Sequence, residues 1–231
     1  ASTGNVSLTL NDATDATNTI TPGGSAVVIT TTVPGQNARL TFSGTSGQRV
    51  AVSASTTFSV CWTLAIIKPD GTNLSSTFTC GSGLFIDPQQ LPVSGTYTIL
   101  IDPSGSGTGQ ATVTAYDVTD VTGTVTIDGP QVSHTINTPG QVVRLTFSGT
   151  SGVRLSVNSI TTFTTCWTLQ ILKPDAAVVS SLIRSNFRLP ARTRSSVVRL
   201  VAERGSSMFN FTVLPTPRSR SRLADLQLSR L

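Results

Sequence analysis

The residues able to do chemistry are few and poorly matched to catalysis. His134 is the sole histidine, hence the sole candidate neutral-pH base, and no Gly-x-Ser-x-Gly turn accompanies it. No glutamate precedes Glu203, and no closely spaced carboxylate pair suggests glycoside hydrolysis. The aspartates Asp12, Asp15, Asp70, Asp87, Asp102, Asp117 and Asp120 stand where loops are expected. Loop carboxylates can hold calcium, but the Asp-x-Asp-x-Asp-Gly spacing is missing and Asp is an ordinary turn former. The expectation is therefore no catalytic residue, no cofactor and no metal ligand, in a chain that is not an enzyme.

Three cysteines remain. Cys61 and Cys166 are equivalent, each just before a tryptophan, whereas the position equivalent to Cys80 is Ser185. A Cys61–Cys80 disulfide closing a loop of about 20 residues would contribute about 3 kcal/mol and would suit an oxidising, extracellular setting. Cys166 is then left without a partner. The alternative is three reduced thiols in the core. Trp62 and Trp167 could serve as sugar-stacking platforms, but their matched places within apolar alternation favour core packing. Asn5, Asn73 and Asn210 begin Asn-x-Ser/Thr sequons, which are acceptors only in a eukaryotic secretory setting.

The elements that carry these residues come in two copies. Residues 34–76 return at 139–181, 105 positions later, with 27 of 43 positions identical and no gaps. The repeated blocks include Arg-Leu-Thr-Phe-Ser-Gly-Thr-Ser-Gly, Cys-Trp-Thr-Leu and Lys-Pro-Asp. A period near 100 residues is too long for a solenoid unit but fits one complete β-sandwich. Charged residues are only 12% of the chain, and Thr, Ser, Gly and Val dominate. That composition favours strands and turns. Candidate strands are 6–10, 26–32, 38–42, 49–53, 62–67, 83–86, 96–101 and 111–116. Leu40/Phe42, Val50/Val52, Trp62/Leu64/Ile66 and Tyr97/Ile99/Ile101 alternate with smaller or polar residues, as half-buried antiparallel strands do. Ser43–Gly47 reads as a hairpin loop and Pro69-Asp70-Gly71 as a tight turn. No stretch reads as a helix, and no apolar run approaches the roughly 18 residues of a membrane span.

The fold class expected is all-β, with two tandem antiparallel, jelly-roll-like β-sandwich domains, the second incomplete or irregular. Residues 1–118 form the first module, 119–181 the first half of a second copy, and 182–231 a divergent tail. The charge divides at the same point. Residues 1–181 carry six basic residues against nine aspartates, while 182–231 carry ten arginines against Glu203 and Asp225. The net +5 thus belongs to the tail, and the mildly acidic modules give no reason to expect nucleic acid. Pro190–Ser196 can be written in codons that, read two bases later, give Gly-Thr-Tyr-Thr-Val-Leu. Repeat one has Gly95-Thr96-Tyr97-Thr98-Ile99-Leu100. The tail is therefore read as the rest of module two in a shifted frame, with a native Arg-rich extension as the alternative. No positively charged start with a following apolar stretch marks a signal peptide, so Ala1 is expected to begin a mature product.

Gly35-Gln36-x-x-Arg39-Leu40-Thr41-Phe42-Ser43-Gly44-Thr45-Ser46-Gly47, Lys68-Pro69-Asp70-Gly71 and Leu91-Pro92-x-Ser94-Gly95-Thr96-Tyr97-Thr98 together resemble the bacterial pre-peptidase C-terminal domains and related repeat modules of large secreted or surface proteins. Repeat one matches throughout, repeat two through Ser181. The resemblance implies a non-catalytic β-sandwich, appended to secreted enzymes or strung in surface arrays, with carbohydrate, cell-wall or protein contacts. It transfers no catalytic residue. Two roles follow: an extracellular binding, spacer or adhesion module, or a structural subunit forming homo-oligomers, filaments or surface layers through strand edges.

Overall fold

The alternation of apolar and polar residues becomes strands stacked in two layers. In this computed structural model, residues 3–149 are described, as are the strand segments 154–161, 167–172, 178–182, 186–188, 196–202 and 207–214. Two compact units result. The first is built on residues up to Asp120 together with Ile136–Val142, and the second follows from Val121.

Unit 1 contains β1 (Ala16–Thr19), β2 (Val27–Thr31), β3 (Ala38–Gly44), β4 (Arg49–Thr56), β5 (Trp62–Ile67), β6 (Asn73–Thr79), β7 (Gly83–Gln90), β8 (Gly95–Pro103) and β9 (Gly109–Asp117). They form a five-stranded sheet in the order β1-β3-β8-β5-β6 and a four-stranded sheet in the order β2-β9-β4-β7. This is an all-β sandwich, as its alternating sequence requires. Leu40 and Phe42 on β3, Trp62, Leu64 and Ile66 on β5, and Tyr97, Ile99 and Ile101 on β8 fill the core. They meet Val50, Val52 and Ala54 of β4 and Ala111, Val113 and Ala115 of β9. Phe42 stacks on Tyr97 with ring centroids 5.5 Å apart, and the Tyr97 hydroxyl donates to the Val93 carbonyl at 2.7 Å. That bond gives the buried phenol a partner, which burial demands.

The Ser43–Gly47 segment expected as a hairpin loop is not one: Ser43 and Gly44 end β3, and the chain then crosses to β4 in the other sheet. Two glycines do separate jobs. Gly71 has φ +81° in the Lys68–Thr72 turn, a backbone that side-chain-bearing residues rarely adopt. Gly44 sits where an added Cβ would collide with Leu91 and the Tyr97 ring.

Three further expectations change. Residues 6–10 form no strand, and Val6, Leu8 and Leu10 lie exposed. Two strands went unread, β1 and β6, because Ala16-Thr-Asn-Thr19 is polar and Asn73–Thr79 carries apolar groups only at Leu74 and Phe78. Finally, β1 pairs β3 in parallel, Ala16 opposite Ala38, within an otherwise antiparallel unit. A period of two reports which face is buried and is silent on direction.

Unit 2 contains β10 (Val121–Thr124), β11 (Val132–Ile136), β12 (Val142–Phe147), β13 (Arg154–Thr161), β14 (Trp167–Leu172), β15 (Val178–Leu182), β16 (Asn186–Arg188), β17 (Ser196–Ala202) and β18 (Ser207–Leu214). The sheet orders, β10-β12-β17-β14-β15 and β11-β18-β13-β16, repeat those of unit 1 strand for strand. The parallel pair also recurs, Val121 opposite Val143. Segments of the divergent tail supply β16, β17 and β18, but β16 has three residues where β7 has eight.

Candidate functional site

The most closely repeated side-chain chemistry lies at the approach to each sandwich. Asp12-Ala-Thr-Asp15 precedes β1, and Asp117-Val-Thr-Asp120 precedes β10, 105 positions later. Asp15 Oδ1 accepts the Asn37 N–H at 3.2 Å, and its Oδ2 accepts Arg39 Nε–H. Asp120 Oδ1 likewise accepts the Val142 N–H at 3.2 Å. Gln36 Nε2 donates to the Thr14 carbonyl at 2.7 Å while its Oε1 accepts the Thr32 N–H at 2.7 Å. Gln141 repeats both bonds, to the Thr119 carbonyl at 2.6 Å and from the Asn137 N–H at 3.1 Å. The period thus holds bond by bond, not merely residue by residue.

One partner distinguishes the two clusters. Asp120 also accepts a bond from Arg49 Nη1, at the start of β4, and the Val118 N–H donates to the Arg49 carbonyl at 2.8 Å. The Asp120 side chain is 12% exposed, against 27% for Asp15. Arg49 therefore ties the end of β9 back to β4 by both main chain and guanidinium. Charge-assisted bonds to a half-buried carboxylate are stronger than exposed ion pairs. Sequence reading weighed these aspartates one by one, as turn formers or calcium ligands, and missed the arrangement. Its signal was Asp-x-Thr-Asp recurring with the repeat.

A second constellation braces one end of unit 1. A disulfide joins Cys61, just before β5, to Cys80, just after β6. Trp62 is fully buried beneath it; its indole N–H donates to the Gly81 carbonyl at 2.8 Å, and Phe58 packs edge-on at 6.2 Å. The Ser104 N–H donates to the Cys61 carbonyl at 2.9 Å, joining the β8–β9 loop to the same end. Burial removes Trp62 as a stacking platform for a sugar. Cys166 and the side chain of Trp167 lie outside the described residues.

His134 lies on β11, opposite Gly123. A Cβ added at Gly123 would stand 3.0 Å from His134 Cε1 and 3.0 Å from Leu145 Cδ2. Repeat one has Ile29 and Asn18 at the corresponding positions, so a larger ring is matched by a smaller neighbour. The histidine fills a half-buried packing position. The turn aspartate Asp70 accepts both the Thr72 hydroxyl at 2.7 Å and the Thr72 N–H at 2.9 Å. Those bonds, with help from Lys68, pull its carboxyl from the usual 3.8 to about 2. Among the described residues no three His, Cys, Asp or Glu side chains gather as a metal-binding group. On the outer face of the β4–β9 sheet, Ser53 Oγ and the Tyr116 hydroxyl lie 3.1 Å apart, with Phe85 beside the tyrosine ring at 6.4 Å. That polar–aromatic trio was also missed, since each member sits at an outward position of a different strand.

No family model matches the chain, and no curated protein matches it. Among solved structures, similarity is found to Aeromonas hydrophila PliG, a periplasmic lysozyme inhibitor of g-type lysozyme. The two are 13% identical, and the match covers 45% of this chain and 98% of that one, with a TM-score of 0.33. No helix among the described residues is long and apolar enough to cross a membrane.

Proposed function

We propose that this chain is part of a non-catalytic extracellular array in which sandwiches of one type recur along the sequence at a fixed period. In this reading it is a binding, spacer or adhesion element of a secreted or cell-surface bacterial repeat protein. The supporting observation is the Asp-x-Thr-Asp cluster, which reproduces its hydrogen bonds at each sandwich approach. The Cys61–Cys80 disulfide favours an oxidising location. The motif resemblance to pre-peptidase C-terminal domains favours a secreted or surface parent. Carbohydrate, cell-wall polymer or protein surfaces are its ligand classes.

The test combines two measurements on the full chain. Co-sedimentation with insoluble polysaccharides and isolated cell walls asks whether it binds, and light scattering against concentration asks whether it assembles. The array reading expects a species of monomer mass at all concentrations, and no turnover of ester, peptide or glycoside substrates. Growth of scattering with concentration would transfer the protein to the strand-edge subunit class. Turnover abolished by His134→Ala would refute the non-catalytic reading outright.

A further inference from the structure

The segment ahead of β1 has the code of a strand and the environment of a loop. Val6, Leu8 and Leu10 alternate with Ser7 and Thr9, yet they are 92%, 92% and 97% exposed. An added Cβ at Gly4 would meet nothing within 4 Å. Isolated exposed apolar residues are ordinary, but three at alternate positions, which a strand would place on one face, make a surface that water penalises.

Shifting the segment by the repeat period explains the pattern. Gly4 falls on Gly109, Thr9 on Thr114, Asp12 on Asp117, Thr14 on Thr119 and Asp15 on Asp120. Val6, Leu8 and Leu10 fall on Ala111, Val113 and Ala115, the fully buried face of β9. β10 starts four residues after Asp117, and β1 starts four residues after Asp12. The residues before β1 thus have the same sequence pattern as the last strand and joint of the preceding sandwich.

We infer that residues 4–12 are the closing strand of another sandwich of this type, one that precedes β1 in the array. The strand enters between that sandwich's β2 and β4. The register follows from β9, where Val113 lies opposite both Val27 and Ala54; Leu8 takes that central place. Asp15 would then meet the preceding copy's equivalent of Arg49, as Asp120 meets Arg49 here. The covering surface is therefore an apolar β2–β4 slot in a domain of the same chain, not a foreign ligand. This extends the array reading, and its failure would leave the non-catalytic reading standing.

The experiment adds to the full chain. A second copy of residues 16–108, which lacks its own β9, is fused directly ahead of Gly4 in place of residues 1–3. The added copy is expected to fold cooperatively, giving one further melting transition. Hydrogen exchange at amides 5–11, rapid in the parent, is expected to slow at least tenfold. Val6, Leu8 and Leu10 are bulkier than the residues they replace, so this transition should fall below that of a control carrying residues 109–117 in place of 4–12. Leu8→Asp in the fusion should abolish it. A fusion that stays unfolded while the control folds overturns the inference. So does concentration-dependent protection of amides 5–11 in the parent chain, which would assign the strand to a second molecule.

Discussion

The two sandwiches reach the same strand order from sequences that agree in their first halves and diverge in their second. Through β14 the second unit follows the first at the repeat period: β11, β13 and β14 begin 105 residues after β2, β4 and β5. After residue 182 the period fails. A strict repeat of Gly95 and Gly109 would start the last two strands at positions 200 and 214, whereas β17 starts at Ser196 and β18 at Ser207. The slots beside β12, β14, β11 and β13 are nevertheless filled in the same order. Sheet order thus survives loss of identity, since edges left by well-patterned strands accept any segment apolar enough to pair. Quality of closure is another matter. Ser196-Val-Val-Arg-Leu-Val-Ala202 puts Arg199 at the middle of the strand that replaces β8, where repeat one has Thr and Ile neighbours.

The comparison breaks most sharply in the shared core. Leu40 and Leu145 are repeat equivalents and both fully buried. Each should cost about 2–5 kcal/mol on truncation to alanine, Leu40→Ala lowering only the melting transition of unit 1 and Leu145→Ala only that of unit 2. Equal effects would mean that the first halves pack alike despite different closing strands. A single transition shifted by either change would dissolve the two-unit description.

Next in size is the disulfide, confined to repeat one because Ser185 stands where Cys80 would recur. Cys80→Ser should lower unit 1 by about 3 kcal/mol, the loop-closure value, and leave unit 2 unmoved. Calorimetry with and without reductant checks this independently.

The two aspartate clusters should differ more modestly. Asp120→Asn is expected to cost about 1–2 kcal/mol, since it weakens bonds to both Arg49 and the Val142 N–H in a half-buried setting. Asp15→Asn should cost under about 1 kcal/mol, its arginine partner being more exposed. Urea denaturation of the two variants gives the ranking.

The smallest effect belongs to Asp70. Its carboxyl ionises at about 2 in the folded turn, below the usual 3.8. Its stabilisation is therefore fully present above about pH 4 and is lost as pH falls through about 2. Asp70→Asn should flatten that acid limb of unit 1.

Much of this was legible in the residues. Alternation located β2–β5 and β7–β9, and matched Cys-Trp blocks identified a buried strand start. Legibility stopped where a pattern has more than one physical meaning. Val6–Leu10 reads as a strand whether or not a partner is present, so it was assigned to its own module. β1 and β6 lie at sheet edges, where polar residues suffice. His134 was legible as an ordinary surface or half-buried side chain, and only its packing beside Gly123 needed the structure. The Asp-x-Thr-Asp cluster was missed because each aspartate was weighed alone, and only the aligned bonds show that they act alike.

Native-state hydrogen exchange across the full chain tests the central claim most directly: one sandwich design, closed well in the first copy and by slipped strands in the second. Amides of β8 and β9 should exchange only with global unfolding of unit 1. Those of β17 and β18 should exchange well before β12, with protection at least tenfold lower. Protection of 196–202 and 207–214 equal to that of 95–103 and 109–117 would contradict the account and make the divergent tail as good a closure as the repeat it replaces.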